Sequence, residues 1–325
     1  MNLGTLLKLG RTSNLPTVWS NVLAGAVLSG APLTIAAYGV LVVAGSAFYE
    51  GGMFLNDAFD AEIDARERPG RPIPAGEISR RAVLGIGFGL LAFGLLVLAL
   101  APVLGLIRPG FSALGGGVFT CAAVLGYNRW HKGYGWSPVV MGACRAGLYA
   151  TAALAVSGRL SVPLLIGAGA LWLYIVGLTH IARFENGTAL QRTWVAAFVL
   201  SPLVASISAI VAQQNLLGAL CFLGLLGWSL RSMSFALRGG KGQIPRAVVT
   251  LIAGAALVDA LFIALHGPPY AVGKGQIPRA VVTLIAGAAL VDALFIALHG
   301  PPYAVLAALC CFLVTLRWQQ RIPGT

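Results

Sequence analysis

Asp57, Asp60 and Asp64 stand at i, i+3 and i+7, a spacing that lays three carboxylates along one face of a helix. Three such groups repel one another unless water or a cation relieves the charge. A solvated helix end is the plain alternative, but two observations count against it. The chain has only ten acidic residues in 325, and five of them (with Glu62 and Glu67) fall between positions 57 and 67. Acids at the C-terminal end of a helix also oppose its macrodipole. A hard divalent cation fits better. Magnesium takes one or two carboxylates and completes its shell with water and substrate phosphate oxygens. The residues that follow, "RERPGRPIP", supply Arg66, Arg68 and Arg71, with Pro69, Pro72 and Pro74 stiffening the loop. Planar guanidinium forks suit phosphate oxygens. Arginines alone would read as membrane-surface anchors; beside the acids they read as part of a magnesium–diphosphate site. Asp57, Asp60 and Asp64 are therefore the candidate metal ligands and catalytic residues.

The acids follow directly on an apolar run, "LTIAAYGVLVVAGSAFYEGGMFL". Hydrophobic residues make up 58% of the chain and charged residues 10%, with a mean hydropathy of +0.85. A soluble domain carries about 25% charged residues. The expected fold class is all-α: a polytopic membrane bundle in one domain over residues 1–325, because in lipid the backbone must satisfy its own hydrogen bonds. Spans are expected at 16–34, 35–56, 81–101, 110–128, 137–156, 162–183, 192–213, 215–232, 247–266 and 303–318. With the acidic stretch placed on the cytoplasmic side, most basic residues fall there too, and Arg108 and Arg159 fall opposite. The net charge of +12 is then topology in a lipid bilayer, and nucleic acid is not expected as a partner. The N-terminal segment reads as a retained span. The five cysteines show no metal-ligand spacing and read as small buried hydrophobes. Asn21 and Arg145 are polar groups within spans, where such groups usually face a cavity. Arg145 has two readings: lining a diphosphate pocket, or pairing with a carbonyl or Glu50.

The pattern N-D-x-x-D-x-x-x-D followed by R-P-x-R-P-I-P-x-G-x-I-S (Asn56, Asp57, Asp60, Asp64, then Arg68 to Ser79) resembles the first aspartate motif of the UbiA superfamily of intramembrane prenyltransferases. "RTSNLPTVWSNVLAG" is similar to the family's approach to its first span. "YNRWHKGYGWSPVV" is similar to a later loop, with Tyr127 and Lys132 near its tyrosine and lysine positions. The resemblance implies about nine to eleven helices around a central cavity. It also implies Mg2+ holding a prenyl diphosphate donor at the cytoplasmic mouth, an unidentified acceptor, and Asn56, Arg68, Arg71, Tyr127 and Lys132 around the diphosphate; Arg145 and Arg183 are further candidates there from their own positions.

The likeness thins in "GLTHIARFENGTALQR", where the family carries a second aspartate motif and this chain has no aspartate. Glu185 stands as a lone candidate ligand, and Arg183 as a cation replacing a metal's charge, or both as ordinary helix-end residues. His180 reads as a polar interfacial residue. Residues 240–272 recur without change at 273–305, so Asp259 and Asp292 are one residue twice, and neither is assigned to the site. One copy is expected to pack in the bundle. Phosphoribosyl transfer to a lipid phosphate, and non-catalytic lipid binding or transport, are the alternative functions.

Overall fold

The computed structural model describes residues 3–131, 134–183, 194–213, 216–238, 242–266 and 301–321, and these are helical with short connections. The helices are α1 (Leu3–Gly10), α2 (Leu15–Leu28), α3 (Ile35–Glu67), α4 (Arg80–Leu100), α5 (Ser112–Trp130), α6 (Ser137–Val156), α7 (Val162–Ala182), α8 (Val195–Gln213), α9 (Leu216–Arg238), α10 (Gln243–His266) and α11 (Pro301–Arg321). Seven of them, α3, α4 and α6 to α10, are long and apolar enough to cross a membrane. The protein is a polytopic helical membrane bundle, as expected.

Two expected boundaries move. The first span ends at Leu28 instead of residue 34, because Gly30 adopts φ +76° and a left-handed glycine closes a helix. The second does not stop at residue 56; α3 runs on to Glu67. Nothing in "NDAFDAEIDARE" breaks a helix, and the stop comes at Arg68, the residue that Pro69 disfavours in the α region. The acids thus ride on a rigid continuation of a span.

Inside lipid, helices gain little from hydrophobic burial against each other, so close packing matters. Gly25 on α2 lets α6 approach until an added Cβ would lie 2.5 Å from the Tyr149 carbonyl oxygen. Contacts also give directions. Asn14 meets Tyr49 and Trp19 meets Ser46, so α3 runs against α2. Trp318 packs on Trp19 and Gln319 bonds Asn14, so α11 ends where α2 begins. Asp259 meets Asn21, while Leu28 and Phe262 both reach Gly167, so α10 runs with α2. The helix of the first repeat copy, α10, is packed among α2, α7, α9 and α11. Apart from 301–305 at the start of α11, the second copy lies outside the described residues.

Candidate active site

One face of α3 carries the acids, and the loop after it folds back over them. The Arg71 amide bonds the Arg68 carbonyl, the Ala75 amide bonds the Arg71 carbonyl and the Glu77 amide bonds the Pro72 carbonyl, which curls 68–77 into a tight hook. Gly76, at φ +76°, completes the hook, and Ser79 caps α4 by accepting from the Ala82 amide. The hook delivers Arg71, whose Nη1 donates to Asp57 Oδ1 at 2.9 Å and to Asp64 Oδ2 at 3.1 Å. Bridging of residues seven apart by one nitrogen confirms the shared face.

A second arginine comes from before α2. Arg11 adopts φ +45°, a left-handed conformation uncommon for a non-glycine residue and usual where structure around it is over-determined. Its Nη2 reaches Asp57 Oδ1 at 3.3 Å and Asn56 Oδ1 at 3.4 Å. Burial alone would lower the Arg11 pKa; Asp57, with lesser help from Tyr49, Tyr127 and Asp60, outweighs it and the net shift is upward. Arg11 is a permanent cation at the site. From α5, His131 Nε2 lies 3.2 Å from Asp60 Oδ2, and its ring stacks on Tyr127 at 5.2 Å. Asn56 donates to Asn128, which donates to the Gly52 carbonyl and locks α5 to α3.

These groups open on a cavity of about 780 Å³. Asn56, Asp60, Asp64, Arg68, Arg71, Tyr127, Arg145 and Arg183 all line it, so most of the expected residues meet in one space. Asp57 joins them through Arg71 and Arg11. Apolar side chains, among them Ile175, Leu178, Val248 and Ile252, form other parts of the wall. Lys132 and Glu185 lie outside the described residues.

Three placements add to the expectations. Among the described residues, no group of three or more acidic, His or Cys side chains is arranged to hold one ion. The triad's oxygens meet guanidinium and imidazole groups instead. Arg183 directs its donors to Ser137 Oγ at 2.7 Å and to the carbonyls of His131, Tyr134 and Gly135, tying the α5–α6 connection to α7. Arg145 lines the cavity, and its partner is not Glu50. It donates to Asn21 Oδ1 at 2.7 Å and Thr17 Oγ1 at 3.1 Å, and lies over the Tyr49 ring. His180 packs on Trp194, as an interfacial residue would. Sequence reasoning assigns neither Arg11 nor His131. His131 stands four residues after Tyr127 on the same helical face, a signal that was legible; the Arg11 backbone conformation was not.

The sequence model of the UbiA prenyltransferase family matches residues 13–262. A digeranylgeranylglyceryl phosphate synthase of Methanopyrus kandleri is 40% identical over 88 residues, 27% of this chain and 32% of that protein. The match thus spans about a third of that curated relative's length. A solved structure described as digeranylgeranylglyceryl phosphate synthase in membranes superposes with a TM-score of 0.58 at 19% identity, covering 81% of this chain and 98% of the other. A UbiA homolog from Aeropyrum pernix K1 superposes at 0.61 with 18% identity, covering 76% and 96%. At these identities the structural likeness is one of fold.

Proposed function

Since this chain belongs to the UbiA prenyltransferase family, we propose that it transfers an isoprenyl group from a prenyl diphosphate to a lipidic acceptor. The observation that carries this reading is the cavity's division of labour. Asp60, Asp64, Arg68 and Arg71 are polar lining, and Ile175, Leu178, Val248, Ile252 and Ala255 are apolar lining of the same space. Such a lining suits a ligand with a multiply charged head and a hydrocarbon tail.

The donor set fits magnesium. It offers oxygen ligands only, on one helix face beside arginines, and magnesium needs one or two carboxylates and leaves room for phosphate oxygens. Asp57, Asp60 and Asp64 would hold the ion, which when bound supplies positive charge against the departing diphosphate. The chain's own residues do the rest. Arg71 keeps Asp57 and Asp64 in register, and Arg11 and Arg68 add fixed positive charge where the leaving group's charge grows. The apolar wall excludes water from the allylic carbon. The carbon–oxygen bond of the donor breaks with its electron pair going to the diphosphate. The acceptor's hydroxyl oxygen then bonds that carbon, and its proton passes to the released diphosphate.

The curated relative is named for a digeranylgeranylglyceryl phosphate, and a prenylated glycerol phosphate lipid is the product class we assign here. The basic residues that line the mouth, Arg11, Arg68 and Arg71, support a cytoplasmic orientation of that face by the positive-inside preference.

The test is diphosphate release by the purified protein in detergent, with magnesium, geranylgeranyl diphosphate and a glycerol phosphate monoether lipid. Release that needs both magnesium and the lipid is expected. No release with any of a panel of prenyl diphosphates of different length, and with cell lipid extract as acceptor, overturns the reading.

A further inference from the structure

Among the described residues, Asp259 is a fully buried acid that the proposed chemistry leaves unused. It lies on α10 and accepts three hydrogen bonds: from Ser20 Oγ at 2.5 Å, Asn21 Nδ2 at 2.8 Å and Tyr149 Oη at 2.5 Å. Three convergent donors suit a carboxylate. An intramembrane carboxylate is costly and calls for a partner. Its cationic partner is one residue removed. Asn21 turns its Nδ2 to Asp259 and its Oδ1 to Arg145 Nη1, at 2.7 Å. With acid on one side and guanidinium on the other, the amide has one favourable orientation: a flip would set NH2 against a cation and oxygen against an anion. The result is an ion pair bridged by an amide.

Arg145 lines the cavity. Asn21 and Thr17 each take one hydrogen bond from it, and a guanidinium has five N–H donors. It sits over Tyr49, eight residues before Asp57 on α3, which is about 12 Å deeper along the helix axis. The cavity thus holds a second cationic post, well inside the acid-bearing mouth and held from behind by Asp259.

We propose that Asp259 is a positioning residue which, through Asn21, fixes Arg145 in the cavity wall as the anchor for the phosphate of a glycerol phosphate acceptor. This rests on the function proposed above. The donor's diphosphate takes the mouth, the acceptor's hydroxyl lies at the allylic carbon beneath it, and the acceptor's own phosphate meets Arg145 farther in. A guanidinium suits a phosphate monoester, and its fixed place sets which acceptor oxygen faces the donor carbon.

The test compares the wild type with Asp259→Asn, which keeps shape and removes charge, and with Arg145→Gln. Two acceptors are used: a glycerol phosphate monoether lipid and the same lipid without its phosphate. Both variants are expected to raise KM for the phosphorylated acceptor about 10- to 100-fold, the worth of a hydrogen bond to a charged group. The preference for the phosphorylated over the unphosphorylated lipid should fall by the same factor, and the double variant should be no worse than either single one. Equal losses on both acceptors would mean a merely structural network and overturn the proposal. Should Asp259→Asn not fold, ligand-induced thermal stabilisation of the wild type and of Arg145→Gln by the phosphorylated lipid decides the question alone: protection confined to the wild type supports it, and equal protection overturns it. Binding through Arg145 without any prenyl transfer would sink the proposed function and leave this anchor standing. Transfer that is indifferent to the acceptor's phosphate would do the reverse.

Discussion

Among the described residues, the protein buries acids in two places and treats them in opposite ways. At the mouth, Asp57, Asp60 and Asp64 meet ionic or ionisable partners directly, with Arg71 on two of them, Arg11 on one and His131 on the third. Asp60 and Asp64 also border an open cavity. In the core, among the described residues, Asp259 meets neutral donors, and its cation stands behind an asparagine. The difference separates acids whose partners can be exchanged from an acid whose partners are fixed. A carboxylate at a hydrated mouth can trade an arginine for a metal ion and free that arginine for phosphate. A carboxylate sealed by three donors has no ligand to receive and serves to hold other groups still.

The largest expected effect breaks the comparison at the mouth. Asp60→Asn should lower the rate of diphosphate release on the order of 10³-fold, the upper range for removing one charge-stabilising group, while the unfolding midpoint in detergent hardly moves. Full activity at low magnesium would leave the mouth acids as helix-end decoration and erase the distinction.

The next effect is on stability. Asp259→Ala removes the acceptor shared by Ser20, Asn21 and Tyr149 and strips Arg145 of its counter-charge. Breaking a buried ionic arrangement on one side costs about 3–5 kcal/mol, which should appear as a large drop in resistance to thermal or SDS unfolding in micelles. The same substitution at Asp60, buried but bordering the cavity, should cost less, about 1–2 kcal/mol. Equal losses at both positions would show that the two clusters are of one kind.

Legibility in the sequence follows the same line. The mouth was readable because its acids cluster at i, i+3 and i+7 against a background almost empty of acids, and because prolines mark the hook that returns Arg71. The bundle was readable from apolar runs that can only be helices in lipid. Boundaries were less so: α3 outlasts its apolar run by a dozen residues (56–67), since a helix stops at a backbone obstacle and not where hydrophobicity ends. Asp259 went unassigned because its segment occurs twice, although an acid within a span is itself a signal. The bridge through Asn21 was not legible at all. It joins α2, α6 and α10, and its residues are separated by up to 239 positions, so only the packing brings them together. Arg11 is similar, reaching the site through a backbone conformation that its neighbours impose.

The smallest expected effect concerns the duplication that carries Asp259 and Asp292. Deleting 273–305 leaves "GPPYAV" from the first copy running directly into "LAALCC", so the sequences of α10 and α11 both survive intact. The geometry permits the join. α10 runs with α2, and α11 runs against it to end at Trp19 and Asn14. The end of α10 and the start of α11 therefore lie toward the same side of the bundle, as a short hairpin requires. The carboxylate at 259 is retained with its three donors, and the mouth, built before residue 184 in the described residues, is untouched. Activity of the deletion variant should stay within about twofold of the full chain, with stability changed by no more than the roughly 1 kcal/mol typical of a mild alteration. The assay is acceptor-dependent diphosphate release beside an unfolding curve in the same detergent. An inactive but folded deletion variant would show that the second copy contributes to the site. The functional boundary would then lie beyond the two acid clusters compared above.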